Sequence, residues 1–224
     1  MIQEFNKDKI IVIDFGSQVT KLIARRIREE EIFCQILKVK DLKKKEILKN
    51  TRGIILSGGP ATVTKKNFPK IPNHIFNSKI PILGICYGLQ LIAKHFKGKI
   101  KLGKNKREFG KMIINKNLNS DLTKNFYKNN KSIVWMSHQD IVYKIPIGFK
   151  KIASTSSSPL TIIENKKKKI FGVQFHPEVT HTINGKKLIK NFIFSICKIK
   201  KNWKMGIEKK VIIKNIKKIE GNQK

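Results

Sequence analysis

Between Ile80 and Phe96 the chain reads IPILGICYGLQLIAKHF, and this stretch limits the possible folds more than any other. An apolar run from Ile80 to Ile85 gives way at Cys86 to apolar positions Leu89, Leu91, Ile92, Ala93 and Phe96, which recur at helical rather than strand spacing. The expectation is a strand, a sharp turn and a helix. Gly84 and Gly88 flank the cysteine as G-x-C-x-G, the cysteine counterpart of the elbow that carries a nucleophile on a strained turn at a sheet's edge. A thiol at a helix start also feels the positive end of the helix dipole, which favours thiolate. A lone cysteine in an apolar run is ordinarily a buried structural residue. The two glycines and the helix that follows weight the reading toward a nucleophile.

The length of 224 residues suits one sizeable domain with a short appendage. No apolar run approaches a membrane span and the opening MIQEFNKDK has no apolar signal core, so the expectation is a cytoplasmic protein with no membrane contact. The three cysteines, Cys34, Cys86 and Cys197, show no C-x-x-C spacing, which suggests neither a disulfide framework nor a zinc site. The formal charge of +34, from 49 Lys and Arg against 15 Asp and Glu, would ordinarily point to nucleic acid. Here the excess is nearly all lysine, spread along the chain and accompanied by heavy use of Ile and Asn. Codon drift in an A/T-rich genome explains that set, so weak, salt-sensitive binding is expected but no specific nucleic-acid partner.

In chain order, Lys9 to Phe15 reads as a first strand, with Ser17 as the N-cap of a helix through Val19, Leu22, Ile23 and Ile27. Ile32 to Leu37 is a second strand, Leu42 to Leu48 a short helix, and Arg52 to Leu56 a third strand running into Ser57-Gly58-Gly59-Pro60. Continuous apolar strands alternating with helices indicate an α/β fold whose parallel sheet is covered on both faces. Asp14, the Gly58–Pro60 turn and Cys86 all follow strands and could meet at the sheet's carboxyl edge, where backbone N–H groups of the glycines could face a developing oxyanion. After Phe96 the pattern is β-rich, with short strands at Lys99–Leu102, Phe109–Ile114, Ser132–Met136, Lys151–Thr155, Leu160–Ile163 and Ile170–Phe175. These would extend the sheet or build a small side sheet. The polar stretch Asn115–Asn130 reads as a surface excursion, and Asn184–Cys197 as an amphipathic last helix.

The second chemical signal is GVQFHPE at 172–178. A strand delivers His176, and Glu178 follows two residues on. Extended geometry would put both side chains on one side, whereas a turn would bring the carboxylate behind the ring. Either way, His176 could move the proton of a thiol nucleophile while Glu178 orients it.

GICYG at 84–88 together with HPE at 176–178 resembles the class I, triad-type glutamine amidotransferases. Within that family the likeness is to the amidotransferase domain of glutamine-hydrolysing GMP synthases, through DFGSQ at 14–18, LIARRIRE at 22–29, LSGGP at 56–60, LGICYGLQ at 83–90, REFG at 107–110, VWMSH at 134–138 and GVQFHPEVTHT at 172–182. The resemblance spans about residues 8–203. It implies a flavodoxin-like amidotransferase fold, with a mixed, largely parallel central sheet flanked by helices and a β-rich second half. It also implies a Cys86–His176–Glu178 triad that hydrolyses L-glutamine through a γ-glutamyl thioester, with backbone N–H groups of Gly59 and Tyr87 as oxyanion hole. Gln90, Ser137 and His138 would help to hold the glutamine. Gln139 stands where the family usually has Gly, which implies a differently shaped loop beside the substrate, and Val19 replaces a common aromatic residue.

In two-domain members of that branch a second domain uses ATP and Mg²⁺ to adenylate XMP, and carries an SGG-type phosphate loop. No such loop follows Trp203, where residues 204–224 form a lysine-rich tail or linker helix with Val211 to Ile219 as its apolar face. The expectation is a chain with no metal or other cofactor of its own that passes ammonia to a separate ATP-pyrophosphatase subunit. The alternative is a truncated, catalytically silent remnant or regulatory module, against which the intact triad argues.

Overall fold

The computed structural model describes residues 7–65, 67–103 and 108–204, so the expected helix over 204–224 lies, but for its first residue, outside the described residues. Strands β1 (Lys9–Asp14), β2 (Cys34–Lys38), β3 (Thr51–Leu56), β4 (Ile82–Ile85) and β11 (Ile170–Val173) lie side by side in the order β2-β1-β3-β4-β11, all parallel. The sheet then continues antiparallel through β10 (Ile162–Asn165), β9 (Lys150–Ser154), β6 (Glu108–Lys116) and β7 (Lys131–His138), nine strands in all. β5 (Lys99–Leu102) and β8 (Asp140–Lys144) pair in a separate two-stranded sheet. Both expected uses of the β-rich half therefore occur. The fold is α/β with a mixed central sheet.

The apolar runs are continuous because both faces of the parallel strands are covered. Along β1, Ile10 and Val12 join one buried cluster with Ile23 and Ile27 of helix α1 (Thr20–Glu29) and with Leu188 and Ile189 of α4 (Gly185–Lys190). Ile11 and Ile13 join the other, with Ile75 of the short α2 (Asn73–Asn77) and with Leu89 and Ile92 of α3 (Tyr87–His95). Each such isoleucine, fully buried, contributes about 1.5–3 kcal/mol over leaving it exposed.

Several local expectations change. Helix α1 starts three residues after Ser17, with Val19 at its N-cap and no side-chain cap bond. The turn before it is tied by Asp14, whose Oδ1 accepts from Gly16 N at 2.9 Å and Thr20 Oγ1 at 2.7 Å, and by Ser17, whose Oγ accepts from Val19 N at 3.3 Å. Asp14 thus serves the turn and is not among the residues lining the cleft described below. Leu42–Leu48 is two 3₁₀ turns, Val39–Lys43 and Lys45–Leu48, because among lysines only Leu42 is fully buried and one anchor cannot hold an amphipathic helix. Asn115–Asn130 is not merely a surface excursion. Leu122 and Phe126 are fully buried, and Phe126 stacks on Phe175 with ring centroids 5.8 Å apart. The last helix changes to a π-helical turn at Asn191–Ile196.

Turns between elements place non-glycine residues in the left-handed region. Lys79, Lys97, Lys169 and Lys198 all have φ between 54° and 61°.

Candidate active site

Cys86 follows β4 directly, with φ 52° and ψ −104°, and α3 begins at the next residue. Such a conformation persists only where its surroundings hold it. Here Cys86 N donates to Val173 O at 2.8 Å and Gln90 N donates to Cys86 O at 3.2 Å. The glycines of the elbow allow helix and sheet to approach. A methyl group on Gly84 would lie 2.5 Å from the Gly88 carbonyl carbon, and one on Gly88 would lie 2.3 Å from the Leu56 carbonyl oxygen. The Cys86 thiol donates toward Ser137 O at 3.7 Å.

β11 runs in register beside β4, Val173 opposite Ile85, so the chain that continues from it carries His176 to the same edge. The ring lies against the Gly58 backbone, where a methyl group would sit 3.1 Å from His176 Cε1 and 3.9 Å from Cys86 Cβ. His176 Nδ1 is 2.7 Å from Glu178 Oε1, with the Glu178 side chain wholly enclosed. The carboxylate therefore stands behind the ring, the second of the two geometries open from sequence. Burial opposes a charged imidazole here, but hydrogen bonds and charges of Cys86 and Glu178 outweigh it and push the His176 pKa up to about 10. Thr182 ties the segment down. Its Oγ1 donates to His176 O at 2.6 Å and accepts from Trp135 N at 3.0 Å, while His176 N donates to Trp135 O at 3.0 Å.

In front of the sulfur is a cleft of about 540 Å³ whose walls include Cys86, Gly59, Tyr87, Gln90, Ser137 and His138. Six of the site residues expected from the sequence thus line this cleft, and His176, which lies beside Cys86 at Gly58, and its partner Glu178 complete the set at the same edge. The polar ends of two of them turn to one atom. Gln90 Nε2 donates to Asp140 O at 3.1 Å, and His138 Nδ1 lies 3.1 Å from the same oxygen. His138 Nε2 is 3.0 Å from Glu108 Oε2, so both ring nitrogens face acceptors. Glu108 also accepts from Thr155 Oγ1 at 2.6 Å and from Ser157 Oγ. Burial works against its charge, but these hydrogen bonds hold its pKa below the ordinary carboxylate value. Another cavity of about 550 Å³, around Lys116, Tyr127 and Lys166, is lined by neither cysteine nor histidine.

The other two cysteines, Cys34 and Cys197, are also buried. Burial pushes the Cys34 thiol up to about 11, against the nearby Arg28, and raises that of Cys197 too. Among the described residues no group of three or more His, Cys, Asp or Glu side chains is placed to hold a metal ion, and no helix is long and apolar enough to cross a membrane.

An elbow cysteine and a buried histidine–carboxylate pair thus meet at the edge of an α/β sheet, and the class-I glutamine amidotransferase family matches residues 11–196. The chain belongs to that family. It is 43% identical over 223 residues to the GMP synthase [glutamine-hydrolyzing] of Clostridium botulinum, covering 98% of this chain and 42% of that protein. For the enzyme of the same name from Brachyspira hyodysenteriae the identity is 44% over 225 residues, covering 97% and 42%. The chain therefore spans less than half the length of the curated relatives it matches. Among solved structures, a protein from Thermoplasma acidophilum described as one subunit of a GMP synthase superposes with a TM-score of 0.73 at 30% identity, covering 85% of this chain and 94% of that one.

In this amidotransferase the sequence reading misses four residues that shape the edge: Glu108, Asp140, Gln174 and Thr182. Thr182 and Gln174 lie inside GVQFHPEVTHT, where alternation places Gln174 on the same side as His176. Glu108 lies inside REFG at 107–110, but the motif does not show what it holds, since its partners are 30 to 49 residues away.

Proposed function

We propose that this amidotransferase hydrolyses L-glutamine to glutamate and ammonia, and that the ammonia is used to convert XMP to GMP. Cys86 Sγ attacks the side-chain amide carbon, and His176 gives a proton to the departing ammonia, leaving a γ-glutamyl thioester. His176 then takes a proton from water, whose oxygen displaces the sulfur and releases glutamate. Glu178 holds the ring through Nδ1 and stabilises its cation. Backbone N–H groups of Gly59 and Tyr87 receive the oxyanion; Tyr87 begins α3, where an N–H has no intrahelical acceptor. Gln90, Ser137 and His138 form the glutamine-binding wall. Because the His138 ring is occupied by Glu108 and Asp140, its segment meets substrate through Ser137 and the backbone.

The observation that carries this reading is the alignment of a positive-φ cysteine with a histidine whose far nitrogen is 2.7 Å from a buried carboxylate. The amination step belongs to a separate protein that uses ATP and Mg²⁺, and no cofactor is assigned to this chain. Support for that partner comes from the similarity to the Thermoplasma acidophilum protein, which is itself described as one subunit of such an enzyme. A cytoplasmic setting fits the three unpaired thiols.

The test is glutamate release by the purified chain, with and without an ATP-dependent XMP-aminating partner, XMP and Mg-ATP, with Cys86→Ala as blank. Release that depends on Cys86 and rises with the loaded partner is the expected result. No release from folded protein under any condition would replace this reading with a silent binding module.

A further inference from the structure

We propose that the carboxamide of Gln174 is a third group acting on the Cys86 sulfur, a donor fixed in the protein interior that stabilises the thiolate. The inference rests on Cys86 being the nucleophile. Gln174 is wholly buried, immediately after β11, and its main-chain N–H donates to Thr161 O at 2.9 Å. Its Nε2 is directed at Cys86 Sγ, 3.9 Å away, and Gln174 is not among the residues lining the open cleft. Its Oε1 is buried and has no hydrogen-bond partner among the described residues. A polar group enclosed with half its capacity unused is costly, and an apolar side chain there would avoid that cost. What the glutamine supplies in return is the N–H that meets the sulfur.

The neighbours of the sulfur divide by which form they favour. Ser137 O, 3.7 Å away, accepts from the thiol and repels the thiolate. Gln174 Nε2 and the imidazolium of His176 do the reverse, and Glu178 supports His176 from behind. The charged residues on the cleft walls are Lys65 and Asp140. Of the donors, His176 must release its proton during turnover, whereas Gln174 never does. The amide therefore supports negative charge on sulfur both before attack and when the thioester is displaced.

The test is the rate of Cys86 alkylation by iodoacetamide against pH, located by mass spectrometry, for the unsubstituted protein, Gln174→Leu and Gln174→Glu, with thermal melting as the check on folding. In Gln174→Leu the thiolate midpoint should rise by about one pH unit, slowing alkylation about tenfold below the midpoint. Gln174→Glu keeps the shape, puts a carboxylate against the sulfur, and should shift the midpoint the same way. A second readout needs no substitution: the Gln174 side-chain amide protons should follow the Cys86 titration by NMR. Folded variants whose profiles overlay the parent, or amide protons that ignore the titration, would overturn the proposal. If the parent curve itself is that of an ordinary thiol, the nucleophile reading falls first and this one with it.

Discussion

Glu178 stands behind His176 rather than beside it, its Oε1 2.7 Å from Nδ1 and its second oxygen buried without a partner among the described residues. The ring is thereby turned with its other nitrogen toward the edge that carries Cys86. Replacing the carboxylate by Gln should lower glutamate release by roughly 10²–10⁴-fold, the range seen when an orienting acid is neutralised. The sign of the accompanying titration is also fixed. His176 is held up to about 10 by Cys86 and Glu178 against burial, so Glu178→Gln removes raising influences and leaves the lowering one. The imidazole midpoint should fall, and Cys86→Ala should lower it too. Following the His176 ring proton by NMR across pH 5 to about 10 checks both.

Thr182 should behave as a positioning residue. Thr182→Val leaves Trp135 N without its acceptor and His176 O without its donor in a buried place, costing about 1–3 kcal/mol of stability. Thr182→Ser keeps the hydroxyl and should restore most of both stability and turnover. Urea unfolding and glutamate release, measured on the two variants together, separate a lost hydrogen bond from a lost methyl group.

Gly88→Ala tests the elbow's packing. The added methyl group would meet the Leu56 backbone at 2.3 Å, which side-chain rotation cannot relieve, so at least about 1–3 kcal/mol should be lost. A variant with unchanged denaturation midpoint would show that α3 can move away from β3.

The Glu108 cluster predicts an acid limit. A carboxylate with a lowered folded pKa adds stability that is present above its unfolded value near 4.5 and is lost as pH falls through the folded value. Glu108→Gln should therefore melt earlier than the parent at pH 7, with the difference narrowing in acid. Melting curves from pH 7 to pH 3 give the comparison.

What is legible in the sequence is what repeats locally. The runs at Lys9–Phe15 and Ile80–Ile85 announce buried parallel strands, and the spacing after Cys86 announces α3. The strand β8 escapes notice because only Gln139 separates it from β7, with no Gly, Pro or Asn to mark the turn. The helix start is misplaced at Ser17 because its hydroxyl ties the turn at Val19 N, ahead of the helix, and Asp14, six residues before Thr20, ties the rest. Around the cleft, His138 can be named from sequence but not its direction, since Glu108 meets it only through strand pairing and the Asp140 carbonyl only through the turn from β7 into β8. The π-helical turn leaves no period of its own to read.

The lysines in left-handed turns connect composition to a property of the folded chain. An L-residue in that conformation is disfavoured by roughly 1–2 kcal/mol, whereas glycine gives back only about 0.5–1 kcal/mol in unfolded-state entropy. Lys79, Lys97, Lys169 and Lys198 are thus places where the fold is weaker than its architecture requires. Glycine at each should recover several tenths of a kcal/mol and remove a positive charge. A chain carrying all four would melt later and adhere less to polyanions, with its cleft untouched.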